Sequence, residues 1–229
     1  MLLLGRVFRL LRKVLFWFFV LSVGSVVLFK WVPVPITPLM ISRSIENKWH
    51  GKPVVLEHDW VPLDSISPQL QKAVIASEDG RFLTHWGFDF EALHKAYKNN
   101  ARGRKIKGGS TITQQTAKNV FLWQGRSYVR KALEAYFTVL IECIWGKERI
   151  MEVYLNSIEM GPGIYGAQAA SIYWYQKEAS GLRPRQAAGI AAILPSPLRF
   201  KAKNSSTYIT RRKNTILRHM QYIGKLNYD

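Results

Sequence analysis

Cysteine is nearly absent. Cys143 is the one thiol in 229 residues, so no internal disulfide can form and the redox compartment is left open. It sits in an apolar helical run, which predicts a small core residue rather than a nucleophile. The five histidines (His50, His58, His85, His94, His219) show no metal-ligand spacing, and no second cysteine could complete a site with them. Acidic residues are scarce: 15 against 33 Lys and Arg, a net charge of +18. Such an excess calls for a polyanion, whether nucleic acid, anionic lipid headgroups or a phosphorylated substrate. Internal repeats are missing, and strand patterns almost so. The predicted class is therefore all-α, with one domain after an N-terminal segment.

That segment begins with Arg6, Arg9, Arg12 and Lys13. The run from Val14 to Phe29 is uncharged and rich in Phe, Leu and Val. About 20 helical residues span the hydrocarbon core, so residues 10–32 suffice as an anchor, with Lys30 snorkelling and Trp31 at the interface. Positive charge before the apolar run predicts that residues 1–9 stay in the cytoplasm. A cleaved signal peptide is the rival, but Lys-Trp-Val-Pro-Val-Pro follows the run where a small-x-small site would be needed. Residues 33–49 read as a linker, stiffened by prolines, with a short helix over 40–47. The main domain is expected over 50–224, and 225–229 form a tail.

Residues 53–62 alternate enough for an extended arm or short strand. Ser67-Pro68 caps a helix that runs to Glu78. Further helices are predicted over 90–100, 113–122, 127–145, 147–156, 165–176, 184–194 and 206–224. In the long helix, Leu133, Phe137, Leu140, Ile141 and Ile144 form the expected core stripe, and Gly146 its left-handed end. In the last helix, Ile209, Ile216, Leu217, Met220 and Ile223 are expected inward. Residues 161–163 read as a loop.

The chemistry concentrates between Ala73 and Gln115. One helix ends in Glu78-Asp79, where the macrodipole disfavours carboxylates, a mild hint of function. Phe82, His85 and Gly87 follow. Gly108-Gly-Ser-Thr-Ile-Thr-Gln-Gln115 is a glycine turn opening into hydroxyls and amides, with Lys118 and Asn119 one turn on. Gly103-x4-Gly108-Gly-Ser110 imitates a phosphate loop, but Gly109 stands where lysine is required and no strand precedes it. Arg130 and Lys131 stand four and three residues before Glu134. That is ordinary helix-surface pairing, or else two cations and a carboxylate facing a cleft. Trp86, Phe88, Phe121, Leu122, Trp123 and Tyr128 flank these motifs, with Arg126 and Arg130 among them. They suit a core or a surface dipping into lipid headgroups equally.

Five ordered blocks resemble the glycosyltransferase domain that polymerises peptidoglycan strands. They are Glu78-Asp-x-x-Phe82-x-x-His85-x-Gly87, Gly108 to Gln115 with Lys118-Asn119, Arg130-Lys-x-x-Glu134, Lys147 to Asn156, and Ala187 to Pro197. Together they cover roughly residues 50–220. The chain has no Ser-x-x-Lys with Lys-Thr-Gly, the set that marks an attached transpeptidase. The resemblance is thus nearest to the monofunctional biosynthetic transglycosylases. Thr116 and Ser196 depart from the family's usual residues without touching a proposed catalytic group.

The resemblance implies a lysozyme-like helical fold. It also implies a substrate, lipid II: a disaccharide-pentapeptide on polyprenyl pyrophosphate, added to a growing glycan strand with β-1,4 linkage and inversion. Glu78 is then the general base on the acceptor's 4-hydroxyl. Lys118, Arg130 and Lys131 neutralise the departing pyrophosphate. Asp79, Phe82, His85, Gly109, Ser110, Thr111, Gln114, Gln115 and Asn119 are further substrate-site positions. Glu134 could orient the cations, coordinate a divalent ion or protonate the phosphate. No cofactor is obligatory, although Mg²⁺ or Mn²⁺ is compatible with the chemistry. Glu152 reads as structural. The implied setting is the bacterial inner membrane, with the catalytic domain periplasmic and cell-division or elongation proteins as partners. Two other readings remain. A degradative glycan-cleaving enzyme of similar fold needs neither anchor nor pyrophosphate cations. A basic single-strand nucleic-acid binder would conflict with the outward topology.

Overall fold

The computed structural model describes residues 2–101, 109–125 and 127–228. The basic loop 102–108 with Gly103 and Gly108, the side chains of Ala96 and Tyr97, and Arg126 lie outside the described residues. The chain divides into two compact units, residues 1–33 and 34–229.

In the first unit, α1 spans Leu2–Leu28. Its stretch Gly5–Leu28 is long and apolar enough to cross a bilayer, at about 36 Å for 1.5 Å per residue. Most of its large apolar side chains are exposed, Phe8, Leu15, Phe16 and Leu21 among them. The helix starts before the sequence pattern suggested and stops earlier. Lys30 and Trp31 donate their backbone N–H groups to Val27 and Leu28 in tighter turns.

The second unit opens with α2 (Pro38–Trp49), started by a Thr37 side chain that accepts from the Met40 N–H at 3.3 Å. Its Leu39 and Met40 are buried with Tyr165, so a helix occupies most of the segment read as linker. The arm at 53–62 contains β1 (Glu57–His58). It pairs parallel with β3 (Ile164–Tyr165), which pairs antiparallel with β2 (Glu159–Gly161). This small sheet, in the order β1-β3-β2, replaces part of the loop expected around Gly163. Gly163 is left-handed at φ +74°, and a Cβ there would collide with the Val55 carbonyl.

The helices of the site follow the sequence closely. They are α3 (Pro68–Glu78), α4 (Phe90–Ala101), α5 (Ile112–Phe121), α6 (Tyr128–Ile144), α7 (Gly146–Ser157), α8 (Ala167–Tyr175), α9 (Pro184–Ile193) and α10 (Thr207–Met220). Gly146, at φ +76°, is the left-handed corner between α6 and α7. The last helix ends before Gly224 because Gln221, Tyr222 and Ile223 bond to carbonyls three residues back. Ile209, Ile216 and Met220 are buried there, while Leu217 and Ile223 are half-buried.

Two helix groups build the core. α9 packs on α3 and α10, and α3 also meets α10; α5 packs on α6 and α7. Residues 187–193 of α9 are all buried. Its alanines and Gly189 allow close approach, since a Cβ on Gly189 would collide with the Tyr175 hydroxyl.

The buried stripe of α6 is rotated from the expected one. It runs through Glu134, Phe137, Thr138, Ile141 and Glu142, whereas Leu133, Leu140 and Ile144 are only half-buried. Cys143 is exposed, not the core residue its apolar neighbours suggested. With Ile141 and Glu142 turned inward, the next 100° step carries Cys143 away from the core. The flanking aromatics divide. Phe121 stacks on Phe137 at 4.6 Å and Leu122 is buried. Trp86 is 72% exposed and Tyr128 98% exposed.

Candidate active site

At the C-terminal end of α3 the two carboxylates point to different tasks. Asp79 is buried. One oxygen meets His85 Nε2 at 2.9 Å, and the other accepts from the Ile112 N–H at 3.0 Å. Ile112 is the first residue of α5, where free N–H groups and the macrodipole favour an anion. Asp79 thus ties the end of α3 to the start of α5. Thr111 adds a second tie. Its hydroxyl donates to the Gly87 carbonyl at 2.6 Å, and it forms a reciprocal cap with Gln114. Gly87 has φ +72°, and a Cβ would sit 2.6 Å from Thr138 Cγ2 and 3.0 Å from Glu142 Cγ. That close approach explains the glycine at this point of the first block.

Glu78 keeps 12% of its side chain exposed. One oxygen accepts from the Ser77 hydroxyl at 2.8 Å and faces Arg212 Nη2 at 3.4 Å. The other accepts from Gln115 Nε2 at 3.3 Å. The Gln115 oxygen in turn accepts from the Tyr154 hydroxyl at 3.2 Å. Burial raises the Tyr154 pKa well above its usual value, and the charges of Glu78 and Asp79 push the same way. The phenol therefore stays protonated as a donor. Gln115 is held from behind by α7 and presents its amide N–H to Glu78.

Three residues further along α5 stands Lys118. Burial lowers its pKa; Glu134 opposes that shift, while Arg130 and Lys131 add to it. Glu134 is only 3% exposed. Arg130 Nη1 donates to one of its oxygens at 2.9 Å and Lys131 Nζ to the other. Pairing on the helix is therefore present, but around a buried carboxylate, with Arg130 largely covered and Lys131 open to solvent. Both carboxylate oxygens are taken by cations. Among the described residues no three His, Cys, Asp or Glu side chains group as metal ligands. This donor set does not fit a resident divalent cation, and no step below runs through one.

The remaining expected site residues sit around these two groups. Phe82 is fully buried beneath Lys147, whose Nζ lies 4.8 Å from the ring centre. Asn119 is buried, Ser110 is exposed, and a Cβ on Gly109 would meet Leu93 at 3.1 Å. Glu152 pairs with Arg149 of its own helix and accepts from the Leu63 N–H at 3.2 Å.

Sequence reasoning passed over Arg212, Glu142 and Thr113. Glu142 accepts from Thr113 Oγ1 at 2.6 Å and from Lys147 Nζ at 2.7 Å, joining α5, α6 and the start of α7. A signal existed for two of these. Arg212 stands three residues after Ile209 and four before Ile216, and Glu142 stands four after Thr138. Each is a charge on its own helix's buried stripe.

A family model described as Transglycosylase matches residues 47–221. A biosynthetic peptidoglycan transglycosylase of Bdellovibrio bacteriovorus is 55% identical over 205 residues, covering 90% of this chain and 82% of that one. The protein of that name from Caulobacter vibrioides is 55% identical over 212 residues, with 91% and 90% covered. Another, from Pseudomonas entomophila, is 49% identical over 225 residues, with 98% and 95% covered.

Proposed function

The chain belongs to the transglycosylase family, and from that premise we propose how its residues carry out glycan transfer. It is a glycosyltransferase of peptidoglycan synthesis. In our reading it takes lipid II, a disaccharide-peptide on polyprenyl pyrophosphate, as substrate. Glu78 accepts the proton of the acceptor's 4-hydroxyl. The freed oxygen attacks the donor's anomeric carbon from the face opposite the diphosphate. The new C–O bond forms as the bond to the diphosphate breaks, and the electron pair leaves with the lipid-linked pyrophosphate. Displacement from the opposite face inverts the centre, giving a β-1,4 link from an α-linked donor.

The leaving group is already anionic and needs positive charge more than a proton. Lys118, Arg130 and Lys131 supply it. Glu134 acts as the holder of Arg130 and Lys131, since each engages one of its oxygens. Asp79, His85 and Thr111 set the angle between α3 and α5 without touching the reacting atoms. The observation that carries this reading is α5 itself. Gln115 touches the base, and Lys118, on the next turn, borders the cation cluster.

The apolar helix α1 is compatible with a single-pass anchor. We place the N-terminus in the cytoplasm and residues 34–229 outside, where the substrate's headgroup is presented. The decisive experiment is turnover of lipid II by full-length protein and by Glu78→Gln. The expected result is polymer from the first and a loss of at least 100-fold in the second, with the fold retained. Polymer at the normal rate from folded Glu78→Gln would remove Glu78 from its role. Cleavage of finished peptidoglycan in place of lipid II turnover would favour the degradative alternative.

A further inference from the structure

Beyond the base and the cation cluster, a groove of about 740 Å³ opens at the N-terminal end of α10. Arg199, Phe200, Lys201, Asn204, Ser205 and Tyr208 line it. Phe200 and Tyr208 form a tilted aromatic shelf at 5.5 Å, and the Arg199 guanidinium lies 5.6 Å from the Phe200 ring centre. No carboxylate lines the groove, and no Asp or Glu occurs between Glu178 and Asp229. The cations Arg199 and Lys201 are exposed and reach into solvent. A concave site with two cations, hydroxyls, an amide and an apolar shelf suits a chain of amide bonds that ends in carboxylates.

Its position narrows the occupant. Tyr208 and Arg212 stand four residues apart on one face of α10. Arg212 Nη2 reaches Ser77 Oγ at 3.0 Å and Glu78 at 3.4 Å. The groove thus begins about 6 Å along the helix axis from the residue that touches the base. The sugar whose hydroxyl Glu78 activates belongs to a disaccharide that carries a peptide. We propose that this groove is a carboxylate-binding subsite for the peptide arm of the acceptor. Arg199 and Lys201 hold the carboxylates, and Phe200 with Tyr208 carries the backbone. The proposal rests on the glycosyltransferase reading and adds a substrate-selecting surface to it.

The test uses full-length enzyme in vesicles and two substrates: lipid II with its natural peptide, and lipid II whose peptide carboxylates are amidated. For Arg199→Gln/Lys201→Gln, apparent KM on the natural substrate should rise roughly tenfold, with kcat held within about twofold. On the amidated substrate the variant should match the wild type, whose own KM should already be raised there. Arg199→Lys/Lys201→Arg should restore the natural preference. An unchanged KM on the natural substrate overturns the proposal. So does an equal loss on both substrates, or a loss that tracks the fraction of anionic lipid, which would mark a headgroup site. Failure of the wild type to polymerise lipid II would sink the parent reading. Normal polymerisation without a peptide-dependent difference would sink the subsite alone.

Discussion

Glu78 is steered from two sides by groups on other helices, Gln115 from α5 and Arg212 from α10. Arg212 also holds Ser77, so removing it loosens the last turn of α3. Arg212→Gln should lower kcat roughly tenfold with little change in KM, and Arg212→Lys should recover part of it. Steady-state kinetics on lipid II checks this. Lys118 makes a different case. Its lowered pKa means the charged form is disfavoured in the fold. Below that pKa the lysine is charged in both folded and unfolded chains, and burial of the charge costs stability. Lys118→Met should therefore raise Tm at neutral pH while abolishing turnover; a thermal melt beside an activity assay reads both. Binding of inorganic pyrophosphate should weaken as pH rises, starting below the ordinary lysine value of about 10.4. Titration calorimetry across pH 7 to 10 would follow it.

At the scale of elements, the joint between the loop at 85–87, α5 and α6 depends on close approach. Gly87 lies against Thr138 and Glu142 with a positive φ. Gly87→Ala should cost roughly 2–4 kcal/mol, from strain and overpacking together, measured by denaturant unfolding. The helix boundaries were legible because caps and breakers are local: Ser67-Pro68, Ser127 and Gly146 act as the sequence implied, while the Thr111 cap starts α5 one residue before the expected position. The rotation of α6 was not legible. An apolar count put Leu133, Leu140 and Ile144 inward, but Glu142 is held there by Thr113 of α5 and Lys147 of α7, and Glu134 is paired with Arg130 and Lys131 of α6 itself. Hydropathy values a buried carboxylate as a cost and does not register the lysines and threonine that satisfy it. The links from Glu78 to Gln115 and Arg212 were hidden for a similar reason. They join residues 37 and 134 positions apart, a separation no local pattern encodes.

For the whole molecule, the single exposed thiol gives a clean report of topology. Cys143 lies in the second unit, and no other cysteine competes with it. A membrane-impermeant maleimide added outside intact spheroplasts should label the protein. Labelling only after lysis would reverse the orientation proposed above. The +18 charge bears on the same setting, since anionic headgroups and a diphosphate both draw it, and both attractions weaken with salt.

The three-residue interval between Gln115 and Lys118 has a last consequence. In the proposed mechanism the base contact and the first cation share one rigid rod, so the gap between incoming alcohol and outgoing diphosphate is gauged by just under one turn of α5. Lengthened loops or shifting helix groups leave that gauge constant. An inserted residue between these two positions would swing Lys118 by 100° and should silence synthesis even with every catalytic side chain still present.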